Sequence, residues 1–504
     1  MSVHWPIIRQ LLSSPRREVI VDDRRAFRAI EILIGALHIA EEVSRRSKSR
    51  TLGVLLPTSG VFPMALLAGW MLGRTVVPLN YLLKPDELAF VIDDCETDCV
   101  VTVEPMLEFL RSSHKEEAAA TPTALAKVAQ NLVRLDAMDF SGAPALRWPA
   151  HAHADDLALL LYTSGTSGRP KGVMLSHGNI GANIAQIREW VRFTRDDVLA
   201  GVLPQFHTFG LTALTLLPLT AGCKVVYTAR FVPAKIVQLI RQHRATALIA
   251  IPSMYNALLQ VKNATAEDFA SLRYTVSGGE PLPAAVFDGF RERFGVTLNE
   301  GYGLTETAPV TNWCRPHEWR RHSVGRALPR VIERIVDPET GRDLPPGRDG
   351  EVRIKGPNVM RGYFKRPEET AAAFDDHGFL RTGDIGRLDE DGHLYITGRL
   401  KEMLIVGGEN VFPREIEEVL NRHPGIKESG VVGVMDDIRG EVPVAYVELR
   451  EGAAFDERDV QRHCREHLAG YKVPRHVRVL EALPRNPTGK VMRRELKKLA
   501  AEGN

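Results

Sequence analysis

Residues 157–172 read LALLLYTSGTSGRPKG, in which an apolar run is followed at once by four Ser or Thr residues, three glycines and a lysine. A short apolar run of this kind is typical of a buried strand that ends in a loop. Glycines let backbone N–H groups approach a ligand, hydroxyl groups add donors and Lys171 adds a positive charge, so the loop is suited to hold a phosphate. A surface turn with a stray lysine would contain the same residue types, and the chain has neither the Walker pattern nor the dinucleotide-binding fingerprint.

The composition is that of an ordinary globular chain. Its 504 residues, 44% hydrophobic and 25% charged, are enough for two or more domains, and a formal net charge of +2 gives no general attraction to nucleic acid. Five scattered cysteines without a C-x-x-C pair, and an N-terminus without the features of a secretory signal, predict a cytoplasmic protein. The uncharged stretches 51–73 and 198–223 are interrupted by Pro and Gly, so no transmembrane segment is predicted, while peripheral contact with a membrane stays open.

Strand-like and helix-like segments alternate along the first half of the chain. The strand-like runs occupy residues 52–57, 98–103, 157–163, 223–228 and 246–252. Residues 233–244 between them place apolar side chains at helical spacing after a proline. This alternation predicts an α/β fold with parallel-rich sheets covered by helices, in which ligands bind at the carboxyl ends of the strands.

The composition of the sequence changes from about residue 324. Gly and Pro become frequent there, and short runs such as EVRIKG and HLYITGR predict antiparallel strands. After residue 400, a helix is predicted to begin at Pro413 and to bury Ile416, Val419 and Leu420. We therefore expect a large N-terminal domain over residues 1–400, with a β-rich subdomain over 324–400. A small mobile α+β domain is expected over residues 401–504.

Six further segments follow the opening loop in a characteristic order. They are LPQFH (203–207), SGGEPL (277–282), GYGLTET (301–307), RTGD (381–384), GRLKEMLIVGGENVFPREIE (398–417) and PRNPTGK (484–490). With these motifs the chain resembles, over nearly its whole length, the adenylate-forming superfamily, which includes acyl-CoA synthetases, peptide-synthetase adenylation domains and luciferases. The resemblance implies a two-step reaction: a carboxylate attacks the α-phosphate of ATP to give an acyl-adenylate and pyrophosphate, and a thiol then displaces AMP.

The resemblance also implies where ATP and AMP bind. Asp384 would accept hydrogen bonds from the ribose hydroxyls with Arg399 assisting, and Tyr302 would present a ring face to adenine. Thr305 would contact the α-phosphate, and Glu306 would hold Mg²⁺, which takes oxygen ligands. The remaining residues implied for the nucleotide are Thr163, Ser164, Gly165, Thr166, Ser167, Gly168, Lys171, Gly279, Glu280, Pro281, Gly301 and Gly303.

Three further roles are implied by the same resemblance. His207 would position the carboxylate at the reacting centre, although a core histidine is the ordinary interpretation of such a residue. Lys490 would reach the carboxylate and the α-phosphate from the small domain, where a cation offsets the crowding of two anions. Lys401 would be the hinge about which that domain rotates after adenylation, bringing Gly407, Gly408 and Glu409 to the tunnel for the thiol.

The sequence leaves the substrates open. Apolar stretches near His207 and the stretch APVTNW at 308–313 resemble fatty acyl-CoA synthetases, so we expect a medium- or long-chain fatty acid and coenzyme A. The long uncharged segment 203–222 is also similar to acyl-acyl-carrier-protein synthetases. The alternatives are an acyl carrier protein as the acceptor and an aryl acid as the substrate.

Two further segments contain patterns found in other classes of protein. The basic segment 472–498 lacks interleaved aromatic residues, so nucleic acid is not expected as a partner. The segment HCREH at 463–467 matches a zinc-peptidase pattern, but no third ligand is identifiable from the sequence.

Overall fold

The computed structural model describes residues 2–113, 125, 128–163, 169–407, 409–436, 440–485 and 491–502. Its sheets are mostly parallel up to residue 313 and mostly antiparallel beyond it. This confirms the expected α/β class with an additional β-rich region and a C-terminal α+β region. Among the described residues, none of the helices has both the length and the apolar character that crossing a membrane requires.

The first sheet has eight strands. In spatial order they are Val310–Trp313, Asn299–Gly303, Tyr274–Ser277, Ala247–Ala250, Val198–Gly201, Lys224–Tyr227, Glu18–Val21 and Ala26–Arg28. The six inner strands are parallel and each edge strand is antiparallel to its neighbour. The segments that follow Ala250, Ser277 and Gly303 therefore meet at the carboxyl edge of this sheet, where ligands bind in folds of this kind.

The second sheet contains the opening motif. Its strands are Leu132–Arg134, Val100–Thr102, Thr51–Leu55, Thr75–Pro78, Leu157–Thr163 and Lys171–Ser176. The last two are antiparallel, and Thr163 is paired with Lys171. Lys171 is thus the first residue of a strand, held in register with Thr163.

Helices cover these two sheets. They are His4–Ser13, Ala29–Arg46, Val61–Met71, Pro85–Asp94, Glu104–Ser113, His177–Val191, Thr208–Leu211, Leu217–Ala221, Pro233–His243, Pro252–Leu259, Ala266–Phe269 and Ala284–Phe294. A π-helical turn, Thr212–Leu216, joins two of them. The helix predicted at 233–244 is confirmed, with Ile236, Val237, Leu239 and Ile240 buried on one face.

Two mostly antiparallel sheets follow, and in the second of them the strand His476–Val479 is parallel to its neighbour Gly440–Leu449. The first comprises Gly325–Arg326, His393–Arg399, Leu380–Leu388, Gly350–Lys355 and Ile332–Val336, with the helix Pro367–Ala372 beside it. The second comprises Glu409–Val411, Leu404–Val406, Gly440–Leu449, Ile426–Asp436 and His476–Val479, with the helices Pro413–Leu420, Glu457–His467 and Arg493–Glu502. The helix predicted to begin at Pro413 is confirmed, and it buries Ile416, Val419 and Leu420.

The buried apolar side chains form separate clusters on the two sides of residue 400. One large cluster runs from Val3 to Leu394, and two smaller ones begin at Leu404 and Val432. The division into domains at residue 400, with a hinge at Lys401, remains a prediction.

Asp197 joins the starts of three neighbouring strands of the first sheet. Its carboxylate is fully buried and accepts hydrogen bonds from the Thr194 N–H at 2.8 Å and the Thr246 hydroxyl at 2.7 Å, and it pairs with Arg273. Burial alone would raise the pKa of Asp197, but these hydrogen bonds outweigh it and hold the pKa below its usual value.

We expect Asp197→Ala to lower the free energy of unfolding by about 2–4 kcal/mol, because Thr194, Thr246 and Arg273 lose a charged acceptor. Since the folded pKa is depressed, this stabilisation is present above the pKa of the unfolded carboxyl and is lost as the pH falls towards the folded value. Chemical denaturation at pH 7 and pH 3.5 measures both effects. The exposed neighbour is the control, and an Asp196→Ala variant as unstable as Asp197→Ala would contradict this account.

Candidate active site

Asp384 lies where the first sheet meets the β-rich region. The Tyr302 hydroxyl donates to its Oδ2 at 2.6 Å, and Arg399 Nε donates to its Oδ1 at 2.8 Å. The carboxylate is 3% exposed, and burial together with this neighbouring charge raises the pKa of Tyr302, which keeps the phenol protonated as a donor. The structure therefore brings Tyr302, Asp384 and Arg399 together. This hydrogen bond joins residues that are 82 positions apart in the chain. The sequence predicted only that Tyr302 presents its ring face to adenine, and not that its hydroxyl donates to Asp384.

The segment 277–282 lies beside Tyr302 at the carboxyl edge of the sheet. Gly279 has φ of +82°, a conformation that side chains with a Cβ rarely adopt. Gly303, at the other end of this edge, has no room for a side chain, because an added Cβ would lie 1.9 Å from the Pro309 carbonyl oxygen. Backbone therefore approaches this edge closely on both sides, with Glu280 and Pro281 directly after the first glycine.

Thr305 begins a short 3₁₀ turn, Thr305–Thr307, immediately after this edge. Its hydroxyl receives a hydrogen bond from the buried Thr208 hydroxyl at 3.1 Å. His207 precedes Thr208 and caps the helix Thr208–Leu211, where its Nδ1 accepts from the Phe209 N–H at 3.4 Å. A neutral His207 ring consequently carries its proton on Nε2. The structure places His207 and Thr305 on adjoining segments joined by Thr208.

Glu306 and Lys171 are connected through Tyr363, which the sequence did not single out. The Tyr363 hydroxyl donates to Glu306 Oε1 at 2.9 Å, and Lys171 Nζ lies 5.5 Å from the centre of the Tyr363 ring. Lys171 also forms an ion pair with Glu369. Burial and the adjacent Glu306 carboxylate raise the pKa of Tyr363. The cation and the acid named from separate motifs are thus neighbours across one aromatic ring.

Glu300 is a buried acid that the sequence also missed. Its side chain is 8% exposed, and its Oε2 accepts from the Leu282 N–H at 3.4 Å, directly behind the segment 277–282. Burial raises the pKa of Glu300 to about 7, against the opposing charge of Arg414 in the C-terminal region. No periodicity marks this residue, which lies in the strand Asn299–Gly303 directly before the motif GYGLTET.

The C-terminal candidates lie on the antiparallel sheet and the segment that leads to it. Lys401 is exposed in the 3₁₀ turn Leu400–Glu402, Gly407 has φ of +60° in the turn of a hairpin, and Glu409 is exposed at the start of its second strand. Several predicted site residues lie outside the described part of the chain, namely Ser164, Gly165, Thr166, Ser167, Gly168, Gly408 and Lys490.

Comparison with known families identifies the class. The AMP-binding enzyme family matches residues 36–364, and the AMP-binding enzyme C-terminal domain matches residues 415–490. The chain therefore belongs to the AMP-binding enzyme family, which confirms the resemblance to adenylate-forming enzymes drawn from the motifs.

Individual relatives agree with this class. The chain is 36% identical to a sulfoacetate–CoA ligase of Cupriavidus necator over 98% of this chain and 95% of that protein. It is 33% identical to a long-chain-fatty-acid–CoA ligase of Bacillus subtilis, over 92% and 89%. Among solved structures, ATP-bound MatB from Rhodopseudomonas palustris superposes with a TM-score of 0.88 at 35% identity, covering 99% of both chains. Relatives named for acids this different fix the class of enzyme and leave the acid open.

Glu300 gives the site region a pH dependence of defined sign. The pKa of Glu300 is higher in the folded chain than in the unfolded chain. The stabilisation that Glu300 gives to the fold is therefore fully present below about pH 4.5 and is lost as the pH rises through 7. We expect Glu300→Gln to raise the free energy of unfolding at pH 8 by about 1–3 kcal/mol and to change it little at pH 4.5. Denaturation at both pH values tests this, with the exposed Glu292→Gln as the control. A stabilisation of equal size at both pH values would contradict the assignment.

Proposed function

We propose that this enzyme joins a carboxylic acid to the thiol of coenzyme A, through an acyl-adenylate, with release of pyrophosphate and then AMP. The observation that carries the proposal is the junction at Thr305–Thr307. Thr305 contacts the His207 segment through Thr208, and Glu306 contacts Lys171 through Tyr363. Groups suited to a carboxylate, an α-phosphate, a metal ion and the outer phosphates therefore lie along one path.

For the nucleoside, we assign the ribose to Asp384 and the adenine to the slot between residues 279–281 and Tyr302. A carboxylate has about four lone-pair sites, and Tyr302 and Arg399 occupy two of them. The other two suit the two ribose hydroxyls. Gly279 lets the backbone lie close to one face of a planar base. The hydrogen bond from the Tyr302 hydroxyl to Asp384 fixes the Tyr302 ring, which would contact the other face of the base.

For the phosphates, we assign Thr305 to the α-phosphate and residues 163–168 with Lys171 to the β- and γ-phosphates. Glu306 offers the oxygen ligand that Mg²⁺ prefers, and the ion would neutralise charge between the phosphates. Lys171 is paired with Glu369 in this structure, so a polyphosphate would compete with one carboxylate for the ammonium group. The Tyr363 hydroxyl donates to Glu306 Oε1 and so fixes the direction of the Glu306 carboxylate.

The acid needs no general base, since a carboxylate is already ionised at neutral pH. We assign His207 to position it, next to Thr208 and Thr305. Lys490 would neutralise the approaching carboxylate and α-phosphate during adenylation. Rotation about Lys401 would then withdraw Lys490 and bring Gly407, Gly408 and Glu409 to the thiol.

We expect Lys490→Ala to slow acyl-adenylate formation by about 10²–10³-fold, equivalent to about 3–4 kcal/mol, because a preorganised cation is lost from the transition state. Thioester formation from a supplied acyl-adenylate should change far less. Single-turnover measurement of pyrophosphate release and of adenylate consumption separates the two steps.

The hinge variant Lys401→Pro is the matched comparison. It should leave adenylation nearly intact and slow thioester formation, the reverse of Lys490→Ala. If both variants slow the same step, the assignment of separate conformations to the two steps is wrong.

For the acyl group, we propose a fatty acid, of medium rather than long chain. Phe209, two residues after His207, places its ring against Gly278, where an added Cβ would lie 3.1 Å from the ring. Leu211 and Leu214, which follow Phe209 in the chain, are fully buried. The apolar wall therefore begins at the reacting centre, and Phe209 limits the length of chain that fits beside it.

A small polar acid is the second candidate. Thr212 lies three residues after Phe209, and Ser277 directly precedes Gly278. Both hydroxyls are buried and have no hydrogen-bond partner within the described chain. Such groups would suit a second anionic or polar end of the acid, as the sulfoacetate–CoA ligase relative suggests.

A panel of acids tests both candidates. Purified enzyme with Mg·ATP is given octanoate, palmitate, sulfoacetate, coumarate or benzoate, each with coenzyme A, with acyl carrier protein or with neither, and pyrophosphate release is followed. Sustained turnover with octanoate and coenzyme A supports the proposal. Turnover with sulfoacetate alone moves the assignment to a polar acid, and turnover only with carrier protein replaces the acceptor.

Phe209→Ala should shift the preference between chain lengths. Room for two further methylenes at about 0.8 kcal/mol each would raise kcat/KM for decanoate, which is two methylenes longer, relative to octanoate about tenfold. The matched control is Phe193→Ala, which removes a buried ring that packs against Tyr274 and Trp313. An unchanged ratio in Phe209→Ala, or an equal shift in both variants, would show that Phe209 does not bound the acyl site.

A cytoplasmic location is proposed from the cysteines, all five of which are buried and free.

A further inference from the structure

The HCREH segment forms the last two turns of the helix Glu457–His467 in the C-terminal region. His463, Glu466 and His467 each offer one ligand atom, and these atoms lie within 4.8 Å of one another. Within the part of the chain that the structure describes, this is the one group of three or more His, Cys, Asp or Glu side chains with such spacing. The carboxylate of Glu466 therefore supplies the third ligand that could not be identified from the sequence.

Both imidazoles are held in the tautomer that a metal ion needs. His463 Nε2 lies 3.1 Å from the Val419 carbonyl oxygen, and His467 Nδ1 lies 2.9 Å from the His463 carbonyl oxygen. A carbonyl oxygen can only accept, so each of these nitrogens carries the proton. The lone pairs are therefore on His463 Nδ1 and His467 Nε2. Metal-bound histidines are characteristically oriented by such a hydrogen bond from the other ring nitrogen.

His423, the neighbouring histidine, lacks this arrangement. Its ring lies 5.3 Å from that of His463, but its Nδ1 accepts from the Gly425 N–H at 3.2 Å, and its Nε2 lies 3.2 Å from Asp459 Oδ2. Both nitrogens are engaged, so no lone pair of His423 is directed outward. The distinction between His423 and the other two histidines is a property of the fold and cannot be seen in the sequence.

We propose that His463 Nδ1, Glu466 and His467 Nε2 bind a divalent zinc ion on the surface of the C-terminal region. Two imidazole nitrogens and one carboxylate oxygen are a ligand set that zinc accepts, with a fourth position for water. Magnesium prefers oxygen ligands alone, so this site is chemically distinct from the one proposed at Glu306. The ion would also lie at the C-terminal end of the helix, where the helix dipole favours positive charge.

The geometry places the ion at a surface. Glu466 and His467 are exposed and His463 is half-buried, so zinc can enter without opening the fold. The His463 ring is anchored to Val419 on the helix Pro413–Leu420, so an ion that fixes this ring ties the two helices together. The expected consequence is a more stable C-terminal region, with the ligase reaction itself unchanged.

The test uses the full chain without a histidine tag, treated with a chelator and freed of it. Zinc is titrated in competition with a fluorescent zinc indicator, and thermal unfolding is recorded with and without zinc. We expect one zinc ion per chain and a higher unfolding temperature with zinc. His463→Ala and His467→Ala should each weaken binding at least about tenfold, since loss of an outer-shell partner alone costs that much.

Two variants serve as controls. His151 and His153 form an exposed ring pair elsewhere on the surface, and replacing both with alanine should leave zinc binding unchanged. His467→Cys supplies a different zinc ligand at the same place and should retain binding that His467→Ala loses. Unfolding temperatures of all variants without zinc show whether the fold is intact.

The proposal is overturned if the chain binds no zinc, or if His463→Ala and His467→Ala bind it as tightly as the unaltered chain. Loss of binding in the His151/His153 variant would also overturn it. Cobalt provides an independent readout, because its visible absorption reports nitrogen and oxygen ligands directly and should be lost in the same two variants. None of these measurements uses ATP, an acid or coenzyme A, so their outcome is independent of the proposed ligase activity.

Discussion

The hydrogen bonds to the Asp384 carboxylate join the parts of the chain on which the site depends. Tyr302 lies near the end of the strand Asn299–Gly303 in the first sheet. Asp384 belongs to the β-rich region, and Arg399 is the last residue of that region's final long strand. A hydrogen bond to a charged group contributes about 1.5–3 kcal/mol and fails steeply when its geometry is disturbed. The relative position of the two regions is therefore fixed at the point proposed for the ribose, immediately before the segment proposed to move.

The same logic applies to the proposed phosphate end. Lys171 would be a mobile point charge on a flexible stem if only its motif were considered. Its strand pairing with Thr163, its ion pair with Glu369 and the nearby Tyr363 ring restrict it from three sides. Tyr363 in turn donates to Glu306. A polyphosphate that draws Lys171 from Glu369 would act on a residue already aligned with the proposed metal ligand, so little reorganisation is needed.

The sequence predicted what depends on local pattern. The strand at 157–163, the helix from Pro413 and the change to antiparallel structure after 324 follow from the spacing of apolar residues, Gly and Pro. The motifs named Asp384, Thr305, Glu306 and Lys171, and they also named Tyr302 and Arg399, which contact Asp384. They did not name Thr208, Tyr363 or Glu369, which contact the other three. Tyr363 and Glu300 lie in no motif with a recognisable period, and the hydrogen bond from Tyr302 to Asp384 spans 82 residues. Such contacts are set by how sheets pack, which no local pattern encodes.

The packing around Arg493 bears on how a rotation could move Lys490. Arg493 lies three residues after Lys490 and pairs with Glu402 at 3.0 Å and with Glu417 at 2.7 Å. Glu402 adjoins the proposed hinge residue, and Glu417 is on the helix Pro413–Leu420. The segment after Lys490 is thus tied to both the hinge turn and the first helix beyond it. A change of backbone angle at Lys401 would therefore move Glu402, the helix Pro413–Leu420 and Arg493 together, as one unit held by these ion pairs.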